Sequence, residues 1–308
     1  MNCTHLARWG TALLLLVSTA SIYGASITLD LVRQNSNNSF QSLMVDQTSG
    51  QYYERTSFQG GSNIKVFADQ AAFAAGAVSN TVSILGQTHM GTYAIVENGS
   101  LFGRSTTNTT EFSRWDFNSG LKTSQTALTG FDPRNGGSSG SFNWGGYSAL
   151  NAMDSGTTKL VVGGDGASPR MRIETIDSNL NSSLAGFVNG KNYGYGFAIG
   201  NYVFLGDSYN SNQISVRFNI LTGMQEAVNF TLTGGGSNSY WSNVVYDAVN
   251  NMLTFWNTSN RTYFSVSNAS QTFGVPQPNM ASVSEPGILG LLGIALLALG
   301  RLRRRATV

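Results

Sequence analysis

The chain has 308 residues, of which 36 are glycine, 11% are charged and one is cysteine. The scarcity of charge and the lack of long helical periodicity exclude coiled coils and helical bundles, and a single cysteine excludes a disulfide-stapled scaffold. The formal net charge is +2, but 13 basic and 15 acidic residues remain, a balance of −2, once residues 1–25 and 284–308 are set aside. A nucleic-acid-binding surface is therefore not expected.

Residues 1–25 have the three parts of a secretory signal peptide. Arg8 provides the positive start, an apolar run covers residues 12–17, and small residues follow up to Ala25. This pattern predicts an N-terminal signal helix that is recognised by the Sec translocon and removed by signal peptidase. Cys3 leaves with it, so the mature protein is expected to have no disulfide although it enters an oxidising compartment.

Residues 26–275 are predicted to form one all-β extracytoplasmic domain. Short apolar runs alternate with turn-forming clusters of Gly, Asn, Asp and Ser, which indicates many short strands. The clearest runs cover residues 92–96, 159–162, 202–205, 214–218 and 252–256. One exception is the alanine-rich stretch 69–75, for which we expect one or two helical turns.

A loose repeat connects several of the turns. Each copy has an apolar strand end, then Asp or Asn, three residues and a glycine or asparagine, the residue types that tolerate a left-handed conformation. The Asp or Asn positions, with a degraded last copy, are 46, 116, 177, 219 and 267. The first two intervals are longer, but those from 177 to 219 and from 219 to 267 match the roughly 40–50 residues of a four-stranded propeller blade. We therefore favour an irregular five- or six-bladed β-propeller, with a β-sandwich or jelly roll as the alternative.

No residue is predicted to be catalytic. His89 is the one histidine outside the signal peptide, and it has neither metal-ligand spacing nor a triad pattern around it. No cofactor and no metal ligand are predicted, although oxygen atoms of turn aspartates leave calcium open as a weaker alternative. The turn aspartates are Asp46, Asp116, Asp154, Asp165, Asp177 and Asp207.

Four aromatic residues are candidates for carbohydrate binding, because aromatic planes pack on the C–H faces of sugar rings. Trp144 and Trp241 lie in Gly/Ser-rich stretches, where we expect exposure, and Tyr147 and Tyr240 lie close to them. The competing interpretation is that these side chains belong to the core, as most aromatics in β-proteins do.

The chain ends in a spacer and a tripartite tail. Residues 276–283 contain prolines at both 276 and 278 and predict an extended spacer. The tail, residues 284–308, begins with Ser284, Glu285 and Pro286 and continues with a run of apolar residues and glycines at 287–300. As a helix this run spans only ~21 Å, against ~30 Å for the hydrocarbon core, so it is a short transmembrane segment. Four arginines follow and keep the end cytoplasmic: Arg301, Arg303, Arg304 and Arg305.

This tail resembles the PEP-CTERM sorting signal of Gram-negative bacteria. Glu285 and Pro286 match the second and third motif positions, whereas Ser284 replaces the usual first proline. The resemblance covers residues 284–308 alone and implies handling by an exosortase, a membrane-embedded protease. It also implies an inner-membrane intermediate followed by the cell surface or extracellular matrix. A plain C-terminal anchor is the simpler alternative.

Together these features predict an exported, non-enzymatic cell-envelope protein, a component of exopolysaccharide or biofilm matrix that binds carbohydrate. Two alternatives stay open: an extracellular hydrolase or lyase on the same scaffold, and a purely structural surface-coat protein.

Overall fold

The computed structural model describes residues 25–35, 42–55, 63–85, 94–104, 110–131, 150–164, 170–189, 193–207, 211–236 and 241–276. Their strands form five separate sheets, four of four strands and one of five. The sheets follow one another round a central axis, because the first strand of each sheet packs beside the first strands of its neighbours. The chain is a five-bladed β-propeller, so the predicted fold class is confirmed and the sandwich alternative is wrong.

Each blade is a meander of antiparallel strands, numbered along the chain from the axis outward. The N-terminal segment supplies β1 (Ala25–Thr28) and β2 (Asp30–Gln34). Blade 1 contains β3 (Ser42–Val45), β4 (Tyr52–Arg55), β5 (Asn63–Phe67) and β6 (Asn80–Ser83). Blade 2 contains β7 (Ile95–Glu97), β8 (Ser100–Arg104), β9 (Glu111–Asp116) and β10 (Lys122–Ala127). Blade 3 contains β11 (Leu150–Asp154), β12 (Lys159–Gly164), β13 (Arg170–Ile176) and β14 (Ser182–Asn189).

Blade 4 contains β15 (Tyr195–Ile199), β16 (Tyr202–Gly206), β17 (Gln213–Asn219) and β18 (Met224–Thr233). Blade 5 contains β19 (Trp241–Asp247), β20 (Met252–Asn257) and β21 (Thr262–Val266). The outermost strand of blade 5 is β2, which pairs antiparallel with β21. Just before it, β1 pairs in parallel with β18 of blade 4, with Ala25 opposite Phe230. One N-terminal segment thus joins both ends of the chain and closes the ring.

The apolar core is divided into five clusters, one in each seam between neighbouring blades. The second strand of a blade is covered on both faces by the adjacent sheets, so β4, β8 and β20 are buried along their whole length. The outermost strand β10 is exposed at five of its six positions. This burial explains why inner strands appear in the sequence as continuous apolar runs, whereas outer strands are polar.

Two short helices lie in connections between strands or after the last strand. The first, α1 (Gln70–Ala75), confirms the helical turns predicted at 69–75, and the Asp69 side chain caps it by accepting the Ala72 N–H at 2.8 Å. The second, α2 (Ala269–Thr272), follows β21. Among the described residues no helix has the length and hydrophobicity needed to cross a membrane. The predicted signal helix and the segment 287–300 lie outside the described residues.

The predicted repeat is correct for four of its five copies. Asp116, Asp177 and Asn219 end or follow the third strands of blades 2, 3 and 4, and Ser267 follows the third strand of blade 5. Asp46 is the exception, because it joins the first two strands of blade 1 rather than the third and fourth. The true counterpart in blade 1 is the connection that begins near Asp69 and contains α1.

In blade 2 both the backbone conformation and the available space require a glycine in the repeat. Gly120 has a φ of +69°, and a Cβ there would lie 2.6 Å from the carbonyl oxygen of Ser83 in the preceding blade. In blade 3 the left-handed position is Leu180, at φ +66°, and not the predicted Asn181. Leu180 is buried in the seam between blades 2 and 3, so its packing offsets the backbone strain.

Candidate functional site

The propeller has two faces, which we name by the connections they carry. The turn face carries the connections from first to second strand and from third to fourth strand in each blade, such as the turns that follow Asp46 and Asp116. The opposite face carries the connections from second to third strand and from one blade to the next. Because the strands alternate in direction, this assignment holds for every blade.

Trp241 is not the exposed loop residue that the sequence predicts. It is the first residue of β19, its side chain is fully buried, and its Nε1–H donates to Asn212 Oδ1 at 3.0 Å. Its ring packs edge-on against Phe255 and Phe264 in the seam between blades 4 and 5. Trp241 therefore has no free ring face for a sugar, and the expectation of exposure is corrected. The Gly/Ser-rich residues before it concealed the start of a strand.

The other three aromatic candidates, Trp144, Tyr147 and Tyr240, lie outside the described residues. In the chain they fall between β10 and β11 and directly before β19. The described strands β11 and β19 both begin at the opposite face.

The axis of the propeller is almost closed. The innermost strands of all five blades line one cavity, with Leu43, Ile95, Ala152, Ala198 and Val244 as one contact from each. The volume in which the centre of a water molecule fits is about 10 Å³. This is close to the minimum volume that one bound water requires. Hydrogen bonds also join neighbouring innermost strands that line this cavity. For example, the Leu43 N–H of blade 1 donates to Asn243 Oδ1 of blade 5 at 3.0 Å.

Three carboxylates, Asp46, Glu97 and Asp154, lie at the turn-face ends of the innermost strands of blades 1, 2 and 3. Asp46 accepts the backbone N–H of Thr48 within its own turn and that of Asn98 in blade 2, at 2.9 and 3.0 Å. Asp154 lines the cavity and accepts the Gly156 N–H at 2.8 Å.

Glu97 connects blades 2 and 3 on this face. One of its oxygens lies 2.5 Å from Lys159 Nζ, and the other accepts the Ser178 hydroxyl at 2.8 Å. No signal in the sequence points to this group, because Glu97 and Lys159 are 62 positions apart and neither belongs to a motif.

A profile of the olfactomedin-like domain matches residues 25–271, most of the chain. The chain belongs to the olfactomedin-like domain family. Olfactomedin-like domains are typically extracellular, which agrees with the export that the N-terminal sequence predicts. No curated protein matches the sequence.

Solved structures resemble the olfactomedin-like domain only at the level of general architecture. Glutaminyl cyclase of Myxococcus xanthus aligns with 11% identity and a TM-score of 0.45, over 79% of this chain and 97% of that one. The propeller domain of Cps50 (Swd1) from Myceliophteria thermophila aligns with 10% identity and a TM-score of 0.41, over 73% of this chain and 82% of that one. Hydrazine synthase of Kuenenia stuttgartiensis aligns with 12% identity and a TM-score of 0.40, over 72% of this chain and 56% of that one. At these values the likenesses say nothing about activity.

In the olfactomedin-like domain, the pKa values of Asp154 and Glu97 are shifted in opposite directions. Burial raises the pKa of Asp154 to about 6; the Gly156 N–H and Lys159 oppose this rise, and Glu97 and Asp46 add to it. Burial also acts to raise the pKa of Glu97, but the hydrogen bonds from Lys159 and Ser178 outweigh it and the net shift is downward. Asp154 therefore keeps its proton up to a pH of about 6, well above the range of an ordinary Asp carboxyl.

Metal binding gains no support from this geometry. Within the described ranges, no group of three or more His, Cys, Asp or Glu side chains is arranged to hold a metal ion. Asp116 and Asp177 each accept backbone N–H groups of their own turns, at 2.8 Å. Calcium therefore stays the weaker, untested alternative, and His89 and Asp165 lie outside the described residues.

Proposed function

We propose that the chain is an exported, non-enzymatic protein of the cell envelope, sorted through residues 284–308 by an exosortase-type protease. In this proposal its propeller is a component of exopolysaccharide or biofilm matrix and binds carbohydrate on the opposite face. The observation that carries the proposal is the position of the domain. The olfactomedin-like match covers residues 25–271 and so occupies nearly all of the interval 26–275 between the predicted signal peptide and the predicted spacer and tail.

Two features of the axis favour binding over catalysis. The cavity of about 10 Å³ has no room for a sugar ring, so Asp154 cannot reach a glycosidic bond from within the ring. On the turn face, Asp46 and Glu97 are held by cross-blade hydrogen bonds. A glycosidase requires two carboxyl groups that are free to act on either side of one bond. The hydrolase or lyase alternative is therefore the less favoured one.

The opposite face is the better place for a polymer ligand. Trp144 and Tyr147 precede β11, Tyr240 precedes β19, and both strands begin on that face. Polysaccharide binding typically uses aromatic rings that are spread along an open surface, since each ring covers one sugar unit.

The test is binding of the full chain, held in detergent, to the exopolysaccharide of the host. We expect saturable binding that Trp144→Ala, Tyr147→Ala or Tyr240→Ala weakens at least several-fold. Tyr202→Ala is the matched control, because Tyr202 starts β16 on the turn face and stacks on Arg217. Absence of binding in the wild-type chain, with calcium present or chelated, would contradict the carbohydrate proposal and favour the structural coat protein.

A further inference from the structure

The C-terminal end of the domain leaves from the turn face. After α2, the Phe273 ring packs between Phe197 and Phe230 in the seam of blades 4 and 5. The backbone N–H of Ala269 donates to the carbonyl of Asn251, which belongs to the first turn of blade 5.

The next residues are fixed to the same face. Gly274 accepts a hydrogen bond from Arg217 Nη1 at 3.2 Å. Val275 is buried and packs against Gly200, which lies in the first turn of blade 4. A Cβ added to Gly200 would lie 3.6 Å from Val275 Cγ1. Because Asn251 and Gly200 both lie in turns that follow innermost strands, the exit lies closer to the axis than to the rim.

The chain that follows is too short to pass round the domain. Ten residues, 277–286, separate Pro276 from the apolar run, and fully extended they reach about 35 Å. A compact domain the size of residues 25–276 has a radius of gyration of about 18 Å, which corresponds to a sphere of radius about 23 Å and a half-circumference of about 70 Å. The tether therefore cannot reach from the turn face to the pole of the opposite face.

We propose that the turn face is directed toward the bilayer while residues 287–300 lie in the membrane, and that the opposite face points outward. This orientation rests on the proposed function, in which the tail is a membrane segment. It directs the opposite face, where the innermost strands such as β11 and β19 begin, toward an extracellular polymer. The envelope partner thus meets the opposite face even before the tail is processed.

The tether, and not adsorption to lipid, sets this orientation. On the turn face Asp177 is exposed and Asp116 is partly exposed, and hydrogen bonds within their turns lower the pKa of each carboxyl. Because Lys122 and Lys159 begin β10 and β12 on the same face, anionic lipid would act on charges of both signs. Zwitterionic phosphatidylcholine vesicles are therefore the suitable probe.

Blade 5 offers a matched pair of labelling positions, because the turns at both ends of β20 lie within the described residues. Val249, which is 61% exposed, lies on the turn face, and Ser259 is exposed on the opposite face. The six residues of β20 between the two turns span about 20 Å. Cys3 is the one native cysteine, so Val249→Cys and Ser259→Cys in a Cys3→Ser background each give a single thiol.

The experiment reconstitutes the full chain in phosphatidylcholine vesicles that carry an energy acceptor on the lipid headgroups. Each thiol is labelled from outside with the same donor dye, and flotation of the vesicles checks membrane attachment. We expect higher energy transfer from Val249→Cys than from Ser259→Cys. Equal transfer, or more from Ser259→Cys, in a chain that floats would overturn the orientation and leave the proposed function intact. Failure to float would overturn both, because the tail would then not be a membrane segment.

Discussion

Two seams of the propeller contain ion pairs of the same length in different surroundings. In the seam between blades 5 and 1, Arg33 Nη2 lies 2.5 Å from Glu54 Oε1, and the Glu54 side chain is 1% exposed. In the seam between blades 2 and 3, Lys159 Nζ lies 2.5 Å from Glu97 Oε1, and the Glu97 side chain is 25% exposed. Distance alone does not distinguish the two pairs, but the access of water does.

The buried pair belongs to the place where the two ends of the chain meet. Arg33, on the closing strand β2, also donates to the carbonyl of Phe73 at 3.0 Å and lies over the Phe73 ring at 4.4 Å. Tyr263 of blade 5 donates its hydroxyl to Glu54 at 2.9 Å. The chain also crosses this seam from β2 to β3, but blade 5 is completed only by the non-covalent pairing of β2 with β21. The comparison teaches that ring closure concentrates the interactions that are costly to break.

The largest effect is expected for Arg33→Ala. It leaves Glu54 buried without its main counter-charge, since Lys65 Nζ is 4.0 Å away and half-exposed. Breaking one side of a buried pair typically costs about 3–5 kcal/mol. Urea unfolding should show that loss, and Lys122→Ala, which removes the exposed pair with Glu111, should cost less than about 1 kcal/mol. Equal losses would contradict the distinction between buried and exposed ion pairs.

An effect of opposite sign is expected for Asp154→Asn. The pKa of Asp154 is raised from 3.8 to about 6, so the folded state binds a proton more tightly than the unfolded state. The corresponding stability is present below the ordinary pKa and is lost as the pH rises through the folded value. At pH ~8 the variant should be more stable than wild type by up to about 3 kcal/mol, and the difference should vanish in acid. Thermal unfolding at a series of pH values measures this, and a variant that is less stable at high pH would refute it.

The smallest effect is expected for Glu97→Gln. The partly exposed pair with Lys159 should contribute no more than about 1 kcal/mol. Because the pKa of Glu97 is lowered, this contribution is present above the ordinary carboxyl pKa and is lost as the pH falls through the folded value. A double-mutant cycle with Lys159→Met isolates the coupling. A coupling as large as the Arg33→Ala loss would remove the contrast between the two seams.

The sequence predicted the blades better than it predicted their closure. The repeat at Asp116, Asp177 and Asn219 is readable because one turn chemistry recurs at one place in successive blades. Asp46 was misplaced because a turn between first and second strands uses the same Asp and Gly chemistry. The role of Arg33 was not predictable, since its partners Glu54 and Tyr263 are 21 and 230 positions away and only the closed ring brings them together.

The candidate site was the part least accessible from the sequence. A tryptophan next to glycine and serine is equally compatible with a loop and with the start of a strand, as Trp241 proves to be. Glu97, Lys159 and Asp154 converge only through the ring, so no local pattern reveals them. In contrast, the signal peptide predicted at 1–25 and the sorting signal predicted at 284–308 each rest on a local pattern within one short stretch, so neither prediction requires a fold.

The central claim is that the propeller is exported and separated from both terminal segments. The most direct measurement is the intact mass, with sequencing of both termini, of the protein recovered from the envelope and medium of its host. The account predicts a chain that begins near residue 25 and ends near Glu285, and a Glu285→Ala, Pro286→Ala variant that keeps its tail and stays with the membrane. A recovered protein that retains residues 287–308 in wild-type cells would contradict sorting by an exosortase and favour a plain anchor.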